Sequence, residues 1–259
     1  MQFTVIGDIH GQEDKLFTML RMAGIADEHG RPTHSFRNNP QHTLVLLGDL
    51  LHLKTRARYA DFINVAQYDE HNPRHRRRAE EQQELFLRKI KGFQDRLPAH
   101  KMVILQGNHD YNAITPEQGP LRTGELLHLE WKDPSSVPLS RDLHDWIAAW
   151  PAEYVHAGIH FAHVGPKPEH NDYSEGFYLR NVRDWIHEDR DFITELGYRL
   201  GVYGHTPMRG GVNLASRGKA FLLDTNGYGG EYAYLHIAVQ DGGYRVQLAG
   251  LVFDEFIPQ

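Results

Sequence analysis

Five short clusters of Asp, His, Asn and Gly punctuate the chain: Asp8-Ile9-His10-Gly11, Gly48-Asp49, Gly107-Asn108-His109-Asp110, His163-Val164-Gly165 and Gly204-His205-Thr206-Pro207. Carboxylates, imidazoles and amide oxygens are the side chains that hold Mn, Fe, Zn, Mg or Ni. Cysteine is absent from all 259 residues, which excludes disulfides, a thiolate nucleophile and cysteine-bound zinc or iron–sulfur sites. Any metal is therefore held by nitrogen and oxygen. Each cluster alone reads equally well as a turn, a helix cap or a satisfied core histidine. Taken jointly, so many polar groups beside buried strands would be costly without an ion. Histidine is abundant, at 18 residues, and most of those outside the clusters have no role to suggest.

The clusters share a local context, because each follows an apolar run. Residues 3–6, 43–47, 101–105, 159–162 and 200–203 are predicted as buried strands. In α/β architectures ligands collect beyond the carboxyl ends of strands, so five such ends point to one site. Residues 15–23 carry helical spacing. Residues 53–98 form a polar, largely helical insertion with an apolar face at 84–90. Residues 219–223, 233–239 and 244–248 alternate around Gly-rich turns and predict antiparallel strands. No repeat or linker interrupts the chain, so 1–259 is expected to be a single domain. A net charge of −6 with 40% hydrophobic and 24% charged residues is ordinary for a globular protein and argues against general nucleic-acid binding. The basic run at 74–78 lies among Asp69, Glu70, Glu80, Glu81 and Glu84 and is read as a solvated helix start, with a nucleic-acid contact as the alternative. No apolar stretch reaches membrane-spanning length, and the first residues read as a strand rather than a signal peptide, so a cytoplasmic location is expected. No Gly-rich nucleotide-binding fingerprint occurs, and no nucleotide cofactor is expected.

In this order and at these spacings, the motifs resemble the calcineurin-like metallophosphoesterase superfamily over about residues 3–230. The Asp-x-His-Gly opening and Gly-His-Thr-Pro ending are most similar to its phosphoprotein-phosphatase and diadenosine-tetraphosphatase branch. The resemblance implies an α/β fold: a four-layer sandwich of two mixed β-sheets flanked by helices. It also implies two divalent metal ions, manganese first, with Fe, Zn, Ni or Mg as alternatives. Asp8 and His10 would hold the first ion, Asp49 would bridge, and Asn108, His163 and His205 would complete the second. A metal-bridging hydroxide would then attack phosphorus in line, with the catalytic His109 assisting the leaving group.

Departures from the pattern sharpen the expectation. Where diester-cleaving relatives often carry a further histidine after Gly-His-x, this chain has Pro207, which favours a phosphatase. Gly48-Asp49-Leu50-Leu51-His52-Leu53-Lys54 lacks the branch's second Asp and its phosphate-binding Arg. His52 stands in place of that Asp and is a second catalytic candidate, the alternative being a surface histidine at a helix start. Lys54 could replace the missing arginine. In Phe177-Tyr178-Leu179-Arg180, Arg180 is the candidate for binding substrate oxygens, ahead of Arg183 and Arg209, and Tyr173, Phe177 and Tyr178 could form a wall. The expected function is hydrolysis of phosphate esters on a protein or small molecule. A phosphodiesterase or nucleotide-anhydride hydrolase is the alternative, then a nucleic-acid-processing enzyme or a non-catalytic metal-binding interaction module. No membrane partner is expected.

Overall fold

The computed structural model describes residues 1–115, 121–123, 126–165, 186, 188–207, 213–224 and 232–251. Its centre is β1 (Gln2–Ile6), an apolar run buried on both faces. β1 pairs in parallel with β2 (His42–Leu46), and β2 with β3 (Met102–Ile104). The hairpin β4 (Leu121–Thr123) and β5 (Leu126–His128) lies apart from this sheet. A second sheet is built from β6 (Glu153–His156), β7 (Ile159–Ala162), β8 (Leu200–Tyr203), β9 (Asn213–Ala215) and β10 (Ala220–Leu222) in the order β6-β7-β8-β10-β9. β11 (Tyr232–Gln240) and β12 (Gly243–Leu251) return antiparallel to the first sheet, giving β12-β11-β1-β2-β3.

Alternation along the strands divides the core into layers. Phe3, Val5, Val45, Leu47 and Leu105 meet Ile159, Phe161, Leu200 and Val202 of the other sheet. Their neighbours Ile6, Leu44, Leu46 and Ile104 face outward onto helices. There they pack against Leu16, Met19 and Leu20 of α1 (Glu13–Met22), Phe36 of α2 (His34–Asn38) and the apolar face of α4 (Pro73–Gln94). On the far side, Ala162, Tyr203 and Leu222 are covered by Phe192 and Ile193 of the short α7 (Phe192–Glu195). The result is an α/β fold of two mixed sheets flanked by helices, as expected. Burial of each large apolar side chain contributes about 1.5–3 kcal/mol. The expected helix at 15–23 starts two residues earlier, and the strand at 43–47 is shifted by one.

Register brings the loops to one edge. Ile6 is opposite Leu46, Leu46 opposite Ile104, and Ala162 opposite Tyr203. The chain therefore leaves each of these strands close to where it leaves the others. α5 (Asn108–Ile114) starts in one of these loops, and α6 (Arg141–Ala148) packs Leu143 and Ile147 into the helix layer.

The insertion has its own small core. α3 (Arg56–Phe62) is capped by the Thr55 hydroxyl, which accepts from Arg58 N–H. Leu53, Tyr59, Ala60, Ile63, Tyr68, Ala79 and Leu126 pack together around it. Asn72 caps α4, with Pro73 in its first turn. The basic run begins this helix, but only in part as a solvated start. Arg74, Arg77 and Arg78 are exposed, and Arg77 pairs with Glu81. Arg76 is buried: it donates to Glu70 O and Ser135 Oγ and pairs with Asp133 at 2.9 Å, because the chain at 133–135 folds over it.

Candidate metal centre

The strand-end loops hold their side chains with an unusual backbone. His10, Asp49, His52 and His205 all adopt positive φ, from 48° to 62°. For residues with a Cβ this conformation costs about 1–2 kcal/mol each, and it clusters at functional sites. Buried hydrogen bonds hold it in place. His10 N–H donates to Asp49 O at 2.8 Å, Gly11 N–H to Leu50 O at 2.7 Å, and His205 N–H to Asp8 Oδ1 at 2.9 Å. Asp110 accepts from Leu50, Leu51 and Gly107 N–H at 2.9, 3.2 and 3.1 Å and so clamps the Asp49 loop. Burial, reinforced by the charge of Asp49, raises the Asp110 carboxyl to about 7. Two motif glycines leave room for carboxylates. A Cβ on Gly107 would fall under 3.0 Å from Asp49 Oδ1, and one on Gly204 equally close to Asp8 Oδ1.

These loops gather Asp8, His10, Asp49, Asn108, His109, His163 and His205. His10 Nε2 lies 3.6 Å from Asp8 Oδ2 and 3.5 Å from Asp49 Oδ2. Nδ1 of the same ring donates to the carbonyls of Leu51 (3.1 Å) and His52 (2.8 Å), so Nε2 presents its lone pair inward. His163 Nδ1 likewise donates to Leu47 O at 2.8 Å, aiming Nε2 at Asp49 Oδ2 (3.4 Å) and Asn108 Oδ1 (3.0 Å). His205 Nδ1 reaches the same Asn108 oxygen at 2.9 Å. Ligand atoms of His10, Asp49 and His109 lie within 4.8 Å of one another, as do those of Asp49, His163 and His205. His109, expected at the leaving group, thus also stands within ligand reach of the first set.

Charge and burial conflict throughout. Burial raises Asp8, and the Asp49 carboxylate adds to it. Burial also opposes ionisation of Asp49, but the neighbouring His163 and His109 hold it well below the usual carboxylate range. Burial lowers His163, yet Asp49 and Asp8 outweigh it and raise the imidazole to about 9. Burial pushes His10 down to about 3. Asp8 Oδ2 and His10 Nε2 are buried and have no hydrogen-bond partner. Such orphaned atoms are costly. Their spacing is too long for a hydrogen bond and suits two ligands of one ion, which stand about 3.4 Å apart for bonds near 2.1 Å in a tetrahedral site. The donor set and the orphaned pair fit divalent metal.

Behind His109 the structure departs from a surface-histidine reading of His52. That ring is fully buried, and its Nδ1 lies 3.2 Å from His109 Nδ1. Burial pushes His52 to about 3 and His109 well below its ordinary value, against the pull of Asp49 on both. Across the 3.2 Å contact one Nδ1 donates and the other accepts. His128 of β5 stacks on His52 (4.6 Å, 18°) and meets His109 edge-on (5.0 Å). Tyr59 Oη reaches His128 Nδ1 at 3.2 Å, and the buried Glu130 is raised to about 7 by burial. Sequence reasoning missed His128, Tyr59 and Glu130, which belong to no motif. Arg180, Arg183, Arg209, Tyr173, Phe177 and Tyr178 lie outside the described residues.

Residues 1–250 match the calcineurin-like phosphoesterase family. Among solved structures, the chain is similar to the cold-active protein-tyrosine phosphatase of a psychrophilic Shewanella species, with a TM-score of 0.55 and 16% identity over 95% of this chain and 80% of that one. It is also similar to a protein serine/threonine phosphatase from Saccharomyces cerevisiae that resembles human phosphatase PP5 (TM-score 0.50, 14% identity, 99% of this chain and 82% of that one). At these identities the likeness shows a shared fold. No curated protein matches the sequence.

Proposed function

We propose that this chain, which belongs to the calcineurin-like phosphoesterase family, hydrolyses phosphomonoesters at a centre of two divalent ions. Membership makes it a phosphoric ester hydrolase; the two-ion centre, its residues and the monoester preference are the reading argued here. Asp8, His10 and Asp49 hold one ion, and Asp49, Asn108, His163 and His205 the other. Bound there, the ions (manganese first, with Fe, Zn, Ni or Mg as alternatives) supply Lewis acidity toward phosphoryl oxygens and a water acidic enough to be a nucleophile near neutral pH.

The protein's own groups orient and protect this chemistry. Hydrogen bonds to main-chain carbonyls fix the tautomers of His10 and His163. Asp110 holds the loop that carries Asp49. His52 occupies His109 Nδ1, leaving Nε2 as the ring nitrogen that assists the departing oxygen. Arg180 is assigned to substrate oxygens from its motif alone. Pro207, where diester-cleaving relatives often carry a histidine, supports monoesters over diesters. The substrate is a phosphorylated protein or small molecule, and residues 1–259 act as one domain. Among the described residues no helix is long and apolar enough to cross a membrane.

The observation that carries this reading is the orphaned Asp8 Oδ2 and His10 Nε2, buried and facing each other beside a shared Asp49. The test is 4-nitrophenyl phosphate turnover by chelator-stripped and manganese-restored protein. Turnover should vanish on stripping and return with manganese, and Asp8→Asn and His205→Ala should each lower kcat by more than about 100-fold. Turnover indifferent to chelation, or wild-type rates in both variants at saturating metal, refutes it.

A further inference from the structure

This inference rests on the phosphatase reading and concerns what holds His109 in place for it. His52 and His109 meet through one contact, Nδ1 to Nδ1 at 3.2 Å. The outer torsion of a histidine side chain is broad and nearly two-fold, so a single bond between two imidazoles leaves both rings room to tilt. Here the rings are confined by parts of the chain that carry no motif. His128 of β5 is buried and lies flat on His52, with centroids 4.6 Å apart and planes 18° from parallel. The same ring meets His109 edge-on, at 5.0 Å and 77°. One side chain thus touches both members of the pair.

His128 is held in turn. Its Nδ1 lies 3.2 Å from Tyr59 Oη, and Tyr59 stacks on Tyr68 at 4.4 Å and 14°. Leu126, two positions earlier on the same face of β5, packs with Leu53, Tyr59, Ile63, Tyr68 and Ala79 and so ties this strand to the insertion. From α4, Gln83 Oε1 accepts His52 N–H at 2.7 Å and steadies the backbone that carries that ring at a φ of 62°. The insertion and β5 therefore grip His52 twice, by its backbone and by its face. An apolar side chain at 128 would fill the same space without burying a polar ring. The histidine adds an orientation, because its bond to Tyr59 sets the plane it presents to His52.

We propose that His128 is a positioning residue: oriented by Tyr59, it fixes the plane of the His52 ring and thereby keeps His109 Nε2 aimed at the departing oxygen. The test uses full-length protein, wild type, His128→Ala and Tyr59→Phe, with manganese content and thermal unfolding measured in each. Phenyl phosphate and 4-nitrophenyl phosphate are compared, because help at the departing oxygen matters most where that oxygen leaves poorly. His128→Ala should lower kcat for phenyl phosphate by about 10–100-fold and for 4-nitrophenyl phosphate at least about threefold less, with both KM values within about threefold of wild type. Tyr59→Phe keeps the ring in the insertion's core and should show the same substrate-dependent loss at about 3–10-fold. In a His109→Ala background, His128→Ala should cost less than about twofold more, since it acts through His109. Imidazole nitrogen NMR of chelated protein should give one set of His52 and His109 ring signals in wild type and averaged signals in His128→Ala. Equal losses for both esters, a change confined to KM, full additivity with His109→Ala, or wild-type rates in either folded variant overturns the proposal. Where His128→Ala does not fold, Tyr59→Phe decides by the same criteria. A wild type whose ring signals depend on His128 in this way but which hydrolyses neither ester overturns the phosphatase reading instead.

Discussion

Replacing Gly204 by alanine should disable the metal centre while leaving the fold intact. Gly204 has no left-handed φ, so its backbone tolerates a side chain, and the whole effect comes from what the new methyl meets. Two of its three nearest neighbours, His163 Nδ1 at 3.4 Å and Leu47 Cβ at 3.5 Å, are at ordinary contact distance. The third, Asp8 Oδ1, would be closer than 3.0 Å, and the carboxylate must retreat by roughly 0.6–1 Å to reach ordinary contact. Oδ1 also accepts His205 N–H at 2.9 Å, so retreat stretches a buried charge-assisted bond worth about 1.5–3 kcal/mol. The other oxygen, Oδ2, is the one 3.6 Å from His10 Nε2, and it swings away from the position that a shared ion requires. Affinity for the first ion should fall by about 10–100-fold, the usual result of disturbing a ligand's support. Turnover at fixed metal should fall by about 100-fold, as for a 1 Å misplacement. Manganese titration calorimetry reads the first quantity and 4-nitrophenyl phosphate kinetics the second, while thermal unfolding of the chelated variant checks the fold. A folded Gly204→Ala that binds manganese and turns over like wild type would refute the carboxylate-room argument.

Two further outcomes follow from groups around the same cluster. His163 is raised to about 9 in the folded, metal-free protein, above the roughly 6.5 of an exposed histidine. Its protonation stabilises the chelated fold fully below about pH 6.5, and that contribution is lost as pH rises through about 9. Thermal unfolding of chelated wild type should therefore weaken across this window more than in His163→Ala, and parallel pH curves would refute the assignment. His52→Ala should lower kcat by about 10–100-fold, with KM changed by less than about threefold, because it removes the partner of His109 Nδ1 but no substrate contact. A change confined to KM would place His52 against substrate instead.

The parts of the site that were legible in the sequence are those where one short segment contains both the strand and the residue it delivers. Asp8, Asp49, Asn108, His163 and His205 each follow an apolar run within a few positions, so period and punctuation located them before any contact was known. The strands themselves were legible for the same reason, since β1, β2, β7 and β8 are mostly apolar and buried on both faces, whereas the layered arrangement followed from the resemblance to the family. His128 was not legible, because its place beside His52 depends on β5 packing against the insertion and the site loops, a packing of distant segments that leaves no local spacing. Tyr59 and Glu130 were missed likewise. Asp110 lay within a recognised motif, yet its three main-chain bonds reach into another loop, and only the folded register shows that role. Arg76 shows the reverse error: a charge run suggests solvent, but Ser135 and Asp133 enclose one of its members.

The bond from His205 N–H to Asp8 Oδ1 joins residues 197 positions apart. At about 5–20 residues per second, a ribosome finishes that partner roughly 10–40 s after Asp8 is made. For most of that interval Asp8, His10 and Asp49 exist without a completed second sheet, and until the last residues without His205. A cation met by this early segment faces a few carboxylates and one histidine, an open set that releases its ion readily. The centre closes only when the chain past residue 205 has emerged and the two sheets have docked. Under the proposed ligand assignment, a chain truncated before residue 163 would keep its acidic loops but lack two of the three imidazoles that complete the site.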